Sequence, residues 1–330
     1  MKICYLENSI YKYNSRDINK SFLRGSETTL INICYELNRL GHDVTIINNC
    51  YKNEKIDNIY WKQFGKYNSK DNDYFDIAIS NNDIKFFDKI NANKKVLISH
   101  SIQTLEKFIR KGQLIPYLRH RPIIAVLGDY HNKKRSFLLK LFGAVYLDIG
   151  IKKEFINKKI KPSKRLLKAI FTSASYRNLD KLVAVWKKKI HNNLPEAKLF
   201  ITPFKSNNLK DFNIFIRKKS STKKLVNEIE SSKVYLIPGH VSELNCQAVE
   251  EAKELCVPIV TMGIGSLEDQ VLHNKNGFIA RNDDEFANYI IKLFKDKNKY
   301  TKIVNYMKKN RGKKKWSIIV KKFLNSIVKY

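Results

Sequence analysis

Residues 242–280 read SELNCQAVEEAKELCVPIVTMGIGSLEDQVLHNKNGFIA, and the order of residue types here sets the expectations for the rest of the chain. From Leu244 to Leu255 apolar residues recur at helical spacing. Residues 258–263, PIVTMG, form a short apolar run closed by glycine, the pattern of a buried strand. Glu243 and Glu251 stand eight positions apart, so on a helix beginning near Leu244 the first lies at the N-terminus and the second two turns in. Two carboxylates are thereby sent toward one ligand. A carboxylate accepts from both hydroxyls of a vicinal diol, as in a ribose or a hexose, and helix N-terminal amides beside it favour an anion such as a diphosphate. The competing reading of the spacing is a solvated helix face carrying Glu250, Glu251 and Glu254.

The flanking sequence repeats the same alternation of short strand and helix. KICYLE opens the chain and a polar stretch leads to Arg24-Gly25-Ser26-Glu27. TTLINICYELNRL then carries apolar residues at helical spacing, and Gly41 stops it as a left-handed cap. DVTIIN (43–48), YFDIAIS (74–80), KKVLISH (94–100), PIIAVLG (122–128) and AVYLDIG (144–150) read as strands. A lysine-rich connector follows at 151–168, and a second series begins: KAIFTS, AKLFIT, KVYLIP and PIVTMG, with helices expected over 179–190, 223–232, 244–255 and 284–296. Strands alternating with helices imply parallel sheets covered on both faces. Two α/β halves joined near residue 155 are expected.

The chain has 330 residues, 43% hydrophobic and 12% aromatic, which excludes a disordered or low-complexity polymer. Its 63 Lys and Arg against 31 Asp and Glu give a net charge of +32, which attracts polyanions: nucleic acid, anionic membrane or phosphorylated substrates. Drift of a Lys-, Asn- and Ile-rich composition is the alternative source of this charge. The distribution is uneven, with 24 basic and 15 acidic residues over 1–150 but 39 and 16 over 151–330. Five cysteines, at 4, 34, 50, 246 and 256, show neither CxxC nor zinc-ligand spacing, so a reducing, cytosolic compartment is expected. No signal-peptide or membrane-spanning apolar run is visible, so a soluble protein or one peripheral to the inner face of the cytoplasmic membrane is expected.

The stretch Glu251-Ala252, Cys256-Val-Pro-Ile-Val260, Gly263 with Gly265, Glu268, then Asn276-Gly277-Phe278-Ile279 before Asp283-Asp284 resembles the signature of the family-4 retaining glycosyltransferases of the GT-B fold. RGSETTLINICYELNRLGHDVTI is similar to that family's N-terminal glycine loop, helix and strand, and YLDIGIKKEFI to its hinge. FTSASYRNLDKLVAVWKKKIHNNLPEAKLFIT is similar to the opening of its second domain, and Trp316 to the aromatic residue where the chain crosses back.

The resemblance implies two Rossmann-like, doubly wound domains facing an interdomain cleft. These are an acceptor-binding domain over 1–154, with the helix 316–330 crossing back to it, and a donor-binding domain over 155–315. It implies that Glu251 binds the ribose hydroxyls of a nucleoside-diphosphate sugar, and that Glu243, followed by Leu244 and Asn245, meets the donor sugar. Arg177 would hold the diphosphate, with Lys181 or Lys205 as a second cation, while Gly25 lets backbone amides approach the same phosphates. His100, ending its strand near the reacting sugar, and His240, just before Glu243, complete the set. Glu243, His100 and Arg177 are the catalytic candidates, and neither metal nor cofactor is needed. Three departures stand out: Cys256 and Asn178 where glycines are usual, and Lys181 four rather than five positions beyond the arginine.

Asp71-Asn72-Asp73 is a D-x-D metal signature, but it precedes its strand, on the wrong edge for a ligand site. Gly263-Ile264-Gly265 lacks the third glycine of a nicotinamide fingerprint. LEKFIRKGQLIPYLRHR (105–121) interleaves apolar and basic residues, the composition of a surface meeting anionic lipid, against which stands a solvated basic loop. The C-terminal helix, with Trp316, Ile318, Ile319, Phe323 and Ile327, is expected to pack on the first domain. No nucleic-acid recognition motif is present, so specific nucleic acid is not an expected partner. The expectation is a retaining, metal-independent hexosyltransferase using a UDP- or GDP-sugar and a glycan or lipid-linked acceptor, in cell-surface polysaccharide synthesis. The alternative is an inactive GT-B scaffold that binds polyanions.

Overall fold

The short apolar runs become the strands of two separate sheets. The computed structural model describes every residue except 19, 21, 22, 24, 68–72, 157 and 219. Arg24, and Asp71 and Asn72 of the D-x-D motif, therefore lie outside the described residues.

The first sheet contains β1 (Lys2–Leu6), β2 (Asp43–Asn48), β3 (Glu54–Ile56), β4 (Ile59–Gln63), β5 (Tyr74–Asn81), β6 (Asn91–Ile98), β7 (Ile123–Val126) and β8 (Ala144–Tyr146). Their order is β3-β4-β2-β1-β5-β6-β7-β8, parallel throughout except for the β3–β4 pair. That pair is a hairpin absent from the sequence reading. Its two-residue turn, Asp57-Asn58, has φ of 50° and 63°, the double left-handed geometry of a type I′ turn. The helices are α1 (Gly25–Arg39), α2 (Leu105–Arg110), α3 (Leu114–His120) and α4 (Asp129–Lys134). Because β2 lies on one side of β1 and β5 on the other, the winding reverses at β1. Glu7, Asn81 and His100 follow or end β1, β5 and β6 on the same carboxyl edge.

The second sheet contains β9 (Leu166–Ile170), β10 (Lys198–Ile201), β11 (Ile214–Ile216), β12 (Ser232–Gly239), β13 (Ile259–Ile264) and β14 (Gly277–Ile279), in the order β11-β10-β9-β12-β13-β14. All its pairings are parallel, and the winding reverses between β9 and β12. Its helices are α5 (Leu179–Val185), α6 (Thr222–Glu230), α7 (Gln247–Glu254), α8 (Leu267–Gln270), α9 (Asp283–Lys295) and α10 (Lys297–Asn310). The helix expected from Leu244 starts three residues later, because Cys246 is extended (φ −84°, ψ 94°) and caps it. The helix expected over 179–190 ends at Val185 and continues as a π-turn over Trp186–Ile190, where the buried Trp186 donates Nε1–H to Phe212 O at 3.0 Å.

The chain divides into one unit of Met1–Gly150 with Trp316–Tyr330 and another of Ile151–Lys315. Ile151 and Phe155 are fully buried in the second unit's core, so the lysine-rich connector is anchored there rather than solvated. The last helix, α11 (Trp316–Lys329), belongs to the first unit, where it buries Ile319, Phe323 and Ile327 but leaves Ile318 half exposed. Lys94 Nζ donates to the carbonyls of Ile327 (3.1 Å) and Val328 (2.8 Å), placing a cation where the helix dipole is negative. Among the described residues no helix is long and apolar enough to cross a membrane.

Gly277 opens β14 against β13, and a Cβ there would lie 2.1 Å from the carbonyl oxygen of Ile259. Backbone cannot yield as a flexible side chain can. Gly277→Ala is expected to destabilise the second unit by about 1–3 kcal/mol. Urea denaturation checks this, and an unchanged midpoint would contradict it.

Candidate active site

Two loops leave the second sheet where its winding reverses, the position at which open α/β sheets form ligand sites. The loop after β9 carries Tyr176, Arg177 and Asn178, and the loop after β12 carries His240 and Glu243. Arg177 Nη1 lies against Glu243 Oε2, with both side chains largely buried. The guanidinium is not saturated by this ion pair, since Nε is buried without a hydrogen-bond partner. It sits over the Tyr176 ring, 5.0 Å from the centroid, and that ring in turn meets His240 edge-on at 5.9 Å. An idle N–H on a buried guanidinium fork suits an oxygen of a phosphate.

Backbone contacts fix the Glu243 loop. Ser266 N–H donates to Glu243 O at 2.9 Å, and Glu243 N–H to His240 O at 2.9 Å. A Cβ on Gly265 would stand 2.3 Å from His240 O, and its φ of +73° suits glycine. Asn178 Nδ2 donates to Gly239 O at 2.5 Å, tying the β9 loop to the β12 loop. His240 Nδ1 accepts from Ser242 N–H at 3.2 Å, which leaves Nε2 to carry the ring proton.

The departures at Asn178 and Cys256 have one cause. Both residues are left-handed, with φ of 60° and 54°, positions where glycine is the unstrained choice and Asn the next best. Cys256 follows α7 in a Schellman motif, with Val257 N–H donating to Ala252 O at 2.9 Å. The cysteine is thus a matter of backbone geometry and not only of packing.

The acidic run on α7 is not a solvated face. Glu250, Glu251 and Glu254 are all buried, which overturns that reading. Glu250 accepts from Lys253 Nζ and Gln270 Nε2, each at 2.9 Å. Glu254 accepts from Arg311 Nε at 3.2 Å and Gly312 N–H at 2.8 Å. Glu251 is different: burial pushes it up to about 7, with the charge of Lys152 working against that rise. Burial likewise raises Glu243, and Arg177 offsets part of the rise.

Lys181 Nζ is held by Asp283 at 3.1 Å, and Lys205 is exposed in the loop after β10. The Leu244 side chain is buried, which leaves its backbone for a ligand, and Asn245 is half-buried beside it.

The first unit gathers its own polar residues at the reversal beside β1. A cavity of about 550 Å³ is lined by Glu7, Ser26, Glu27 and Asn81, among others. Gly25 opens α1 there, with nothing within 4 Å of a Cβ placed on it. Burial pushes Glu7 up to about 7, and Tyr13 OH donates to its carboxylate. His100 Nε2 lies 3.1 Å from Asn81 Oδ1, and burial lowers its pKa. The sequence reading singled out Gly25 and His100 but not Glu7, Tyr13 or Asn81. A polar residue directly after the first strand of a parallel sheet was the available signal for Glu7.

Residues 105–121 form α2 and α3, whose buried sides, Phe108 and Tyr117, join Leu139 in one cluster. Their outer sides leave Ile109, Ile115 (70% accessible) and Leu118 exposed, as are Phe137 (80%), Leu138 and Leu141 just beyond.

Residues 161–310 match the family described as Glycosyl transferases group 1. No curated protein matches the chain significantly. Among solved structures, sucrose-phosphate synthase from Thermosynechococcus elongatus is similar at 11% identity and TM-score 0.69, over 99% of this chain and 98% of that one. Anabaena HepE in complex with UDP is similar at 13% identity and TM-score 0.69, over 100% of each chain. WaaG, a glycosyltransferase involved in lipopolysaccharide biosynthesis, is similar at 11% identity and TM-score 0.67, over 98% of this chain and 99% of that one. The fold of the chain is GT-B.

A carboxyl whose pKa is raised on folding loses stability as pH climbs from its unfolded value of 4.5 through its folded value of about 7. Glu251→Gln removes that loss. The variant is expected to gain on the order of 3 kcal/mol over the parent at pH 8 and little at pH 4.5, by urea denaturation. An equal difference at both pH values would contradict the assignment.

Proposed function

We propose that this chain, whose residues 161–310 match the group 1 glycosyl transferases, is a retaining glycosyltransferase. It moves a hexose from a UDP- or GDP-sugar to a hydroxyl of a glycan or lipid-linked acceptor in cell-surface polysaccharide synthesis. The observation that carries this reading is the buried Arg177 guanidinium with an idle Nε–H, set against Glu243 where the second sheet reverses. A similar structure solved with UDP supports a uridine donor.

In this reading ionised Glu251 accepts from the ribose hydroxyls and Glu243 from the sugar hydroxyls. Arg177 donates to the diphosphate and stabilises the charge that grows on it as the anomeric carbon–oxygen bond breaks. The acceptor hydroxyl attacks from the face the diphosphate leaves, so the anomeric configuration is kept, and the hydroxyl proton departs with the diphosphate. The protein supplies leaving-group stabilisation through Arg177, without a metal. Because Lys181 is already held by Asp283, Arg177 carries this role largely alone. His100, kept neutral by burial, binds sugar hydroxyls rather than phosphate. The exposed apolar and basic face of α2, α3 and residues 137–141 favours a cytoplasmic enzyme peripheral to an anionic membrane, where a lipid-linked acceptor resides.

A thermal-shift series with UDP, GDP, ADP and their sugar conjugates tests the donor, since a ligand at one hundred times its Kd stabilises by about 2.7 kcal/mol. One nucleotide is expected to raise Tm. Arg177→Ala and Glu243→Gln are expected to lower transfer by roughly a hundredfold or more. Full transfer in either variant would refute the roles. The absence of any nucleotide shift would leave a polyanion-binding scaffold as the better reading.

A further inference from the structure

Behind the end of β6 in the first unit lies a second cavity, of about 320 Å³, lined in part by His100, Ser101, Gln103, Lys107, Lys111 and Gln113. Gln103 is only 1% exposed, yet both its Nε2 and its Oε1 lack a hydrogen-bond partner. Leaving two buried amide atoms idle costs roughly 1–3 kcal/mol for each group. Such a residue is retained where something else completes it.

The lining is also one-sided in charge. Among the described residues no carboxylate borders this cavity, whereas two lysines do. Lys107 Nζ donates to Ser101 Oγ, which frees the serine hydroxyl to donate onward. Burial lowers the Lys107 pKa, and the nearby charges of Lys111 and Arg110 lower it further. The neighbouring cavity differs, being bordered by the carboxyl groups of Glu7, Glu27 and Asp83. The two cavities share Asn82, Lys111 and Gln113 in their walls, so one ligand can extend through both.

We infer that the second cavity is an anion subsite, taking a phosphate or carboxylate of a ligand whose uncharged hydroxyls occupy the cavity beside Glu7. Gln103 Nε2, the Lys107 and Lys111 ammonium groups and the Ser101 hydroxyl donate to the anion. Under the transferase reading, on which this assignment of the ligand rests, the acceptor is itself anionic: a phosphorylated or uronic acid-containing glycan. A neutral acceptor would leave the Lys107 ammonium, whose hydrogen bond goes only to the uncharged Ser101, without a counter-charge.

Titration of the full-length protein with inorganic phosphate, methyl phosphate and glucuronate, followed by calorimetry, tests the subsite. UDP is titrated separately, and the anion titrations are repeated with UDP bound, so that an anion held by Arg177 is told apart from one held in this cavity. Lys107→Met is expected to weaken the bound anion at least tenfold and to leave UDP affinity unchanged. Gln103→Leu, which replaces two idle polar atoms by carbon, is expected to fold with undiminished Tm and to weaken the same anion. Preference for methyl phosphate assigns a phosphoryl group to the acceptor, and preference for glucuronate assigns a carboxylate. Anion binding that survives Lys107→Met unchanged, or no binding of any of the three anions, would overturn the subsite. Loss of UDP binding alone would instead count against the transferase reading.

Discussion

The contact between Arg177 and Glu243 is the interaction around which the second unit is organised. Taking two charges out of water is expensive, and removing one partner of such a pair typically costs about 3–5 kcal/mol. The surroundings spend backbone conformations that few residues tolerate in order to hold it. Asn178 adopts φ of 60° directly after Arg177, and Gly265 packs onto the carbonyls of His240 and Glu243. The pair nonetheless remains incomplete, because Arg177 keeps its buried Nε without a hydrogen-bond partner. A purely structural ion pair in a core is normally finished by further hydrogen bonds. An unfinished one, at the carboxyl edge where a parallel sheet reverses, is the arrangement of a site that awaits an anion.

The same logic distinguishes the carboxylates of α7. Glu250 and Glu254 are neutralised by Lys253, Gln270, Arg311 and the Gly312 amide, and they lock the helix to the segment after α10. Glu251, one residue from the first and three from the second, is raised to about 7. Hydroxyls of a bound ribose would restore the hydrogen bonds that its ionised form lacks. Part of the excess of basic residues in the second half is therefore structural, since it neutralises acidic groups inside the fold. In the first unit the basic residues of α2 and α3 stand on an exposed face that also carries Ile109, Ile115 and Leu118.

Most strands were legible because parallel strands buried on both faces read as continuous apolar runs, and DVTIIN corresponds residue for residue to β2. The β3–β4 hairpin was missed because its strands are three and five residues long, although Asp57-Asn58 between isoleucines carried its turn signal. Helix starts were less legible. The extended Cys246 delays α7, and nothing in the local sequence announces it. The eight-residue separation of Glu243 and Glu251 was visible, but the burial of Glu250 and Glu254 was not, because Arg311 and Gly312 lie some sixty positions away in sequence. Arg177 could be singled out only through a resemblance, and Gln103 could not be found at all, since an orphaned amide is a property of packing.

The most direct test of the central claim is a crystal structure with the nucleoside diphosphate that binds. The expected result is diphosphate oxygens within hydrogen-bond distance of the Arg177 guanidinium, ribose hydroxyls on Glu251, and Glu243 turned toward the sugar position. Nucleotide bound elsewhere, with Arg177 still closed on Glu243 and Glu251 buried without a ligand, would contradict it.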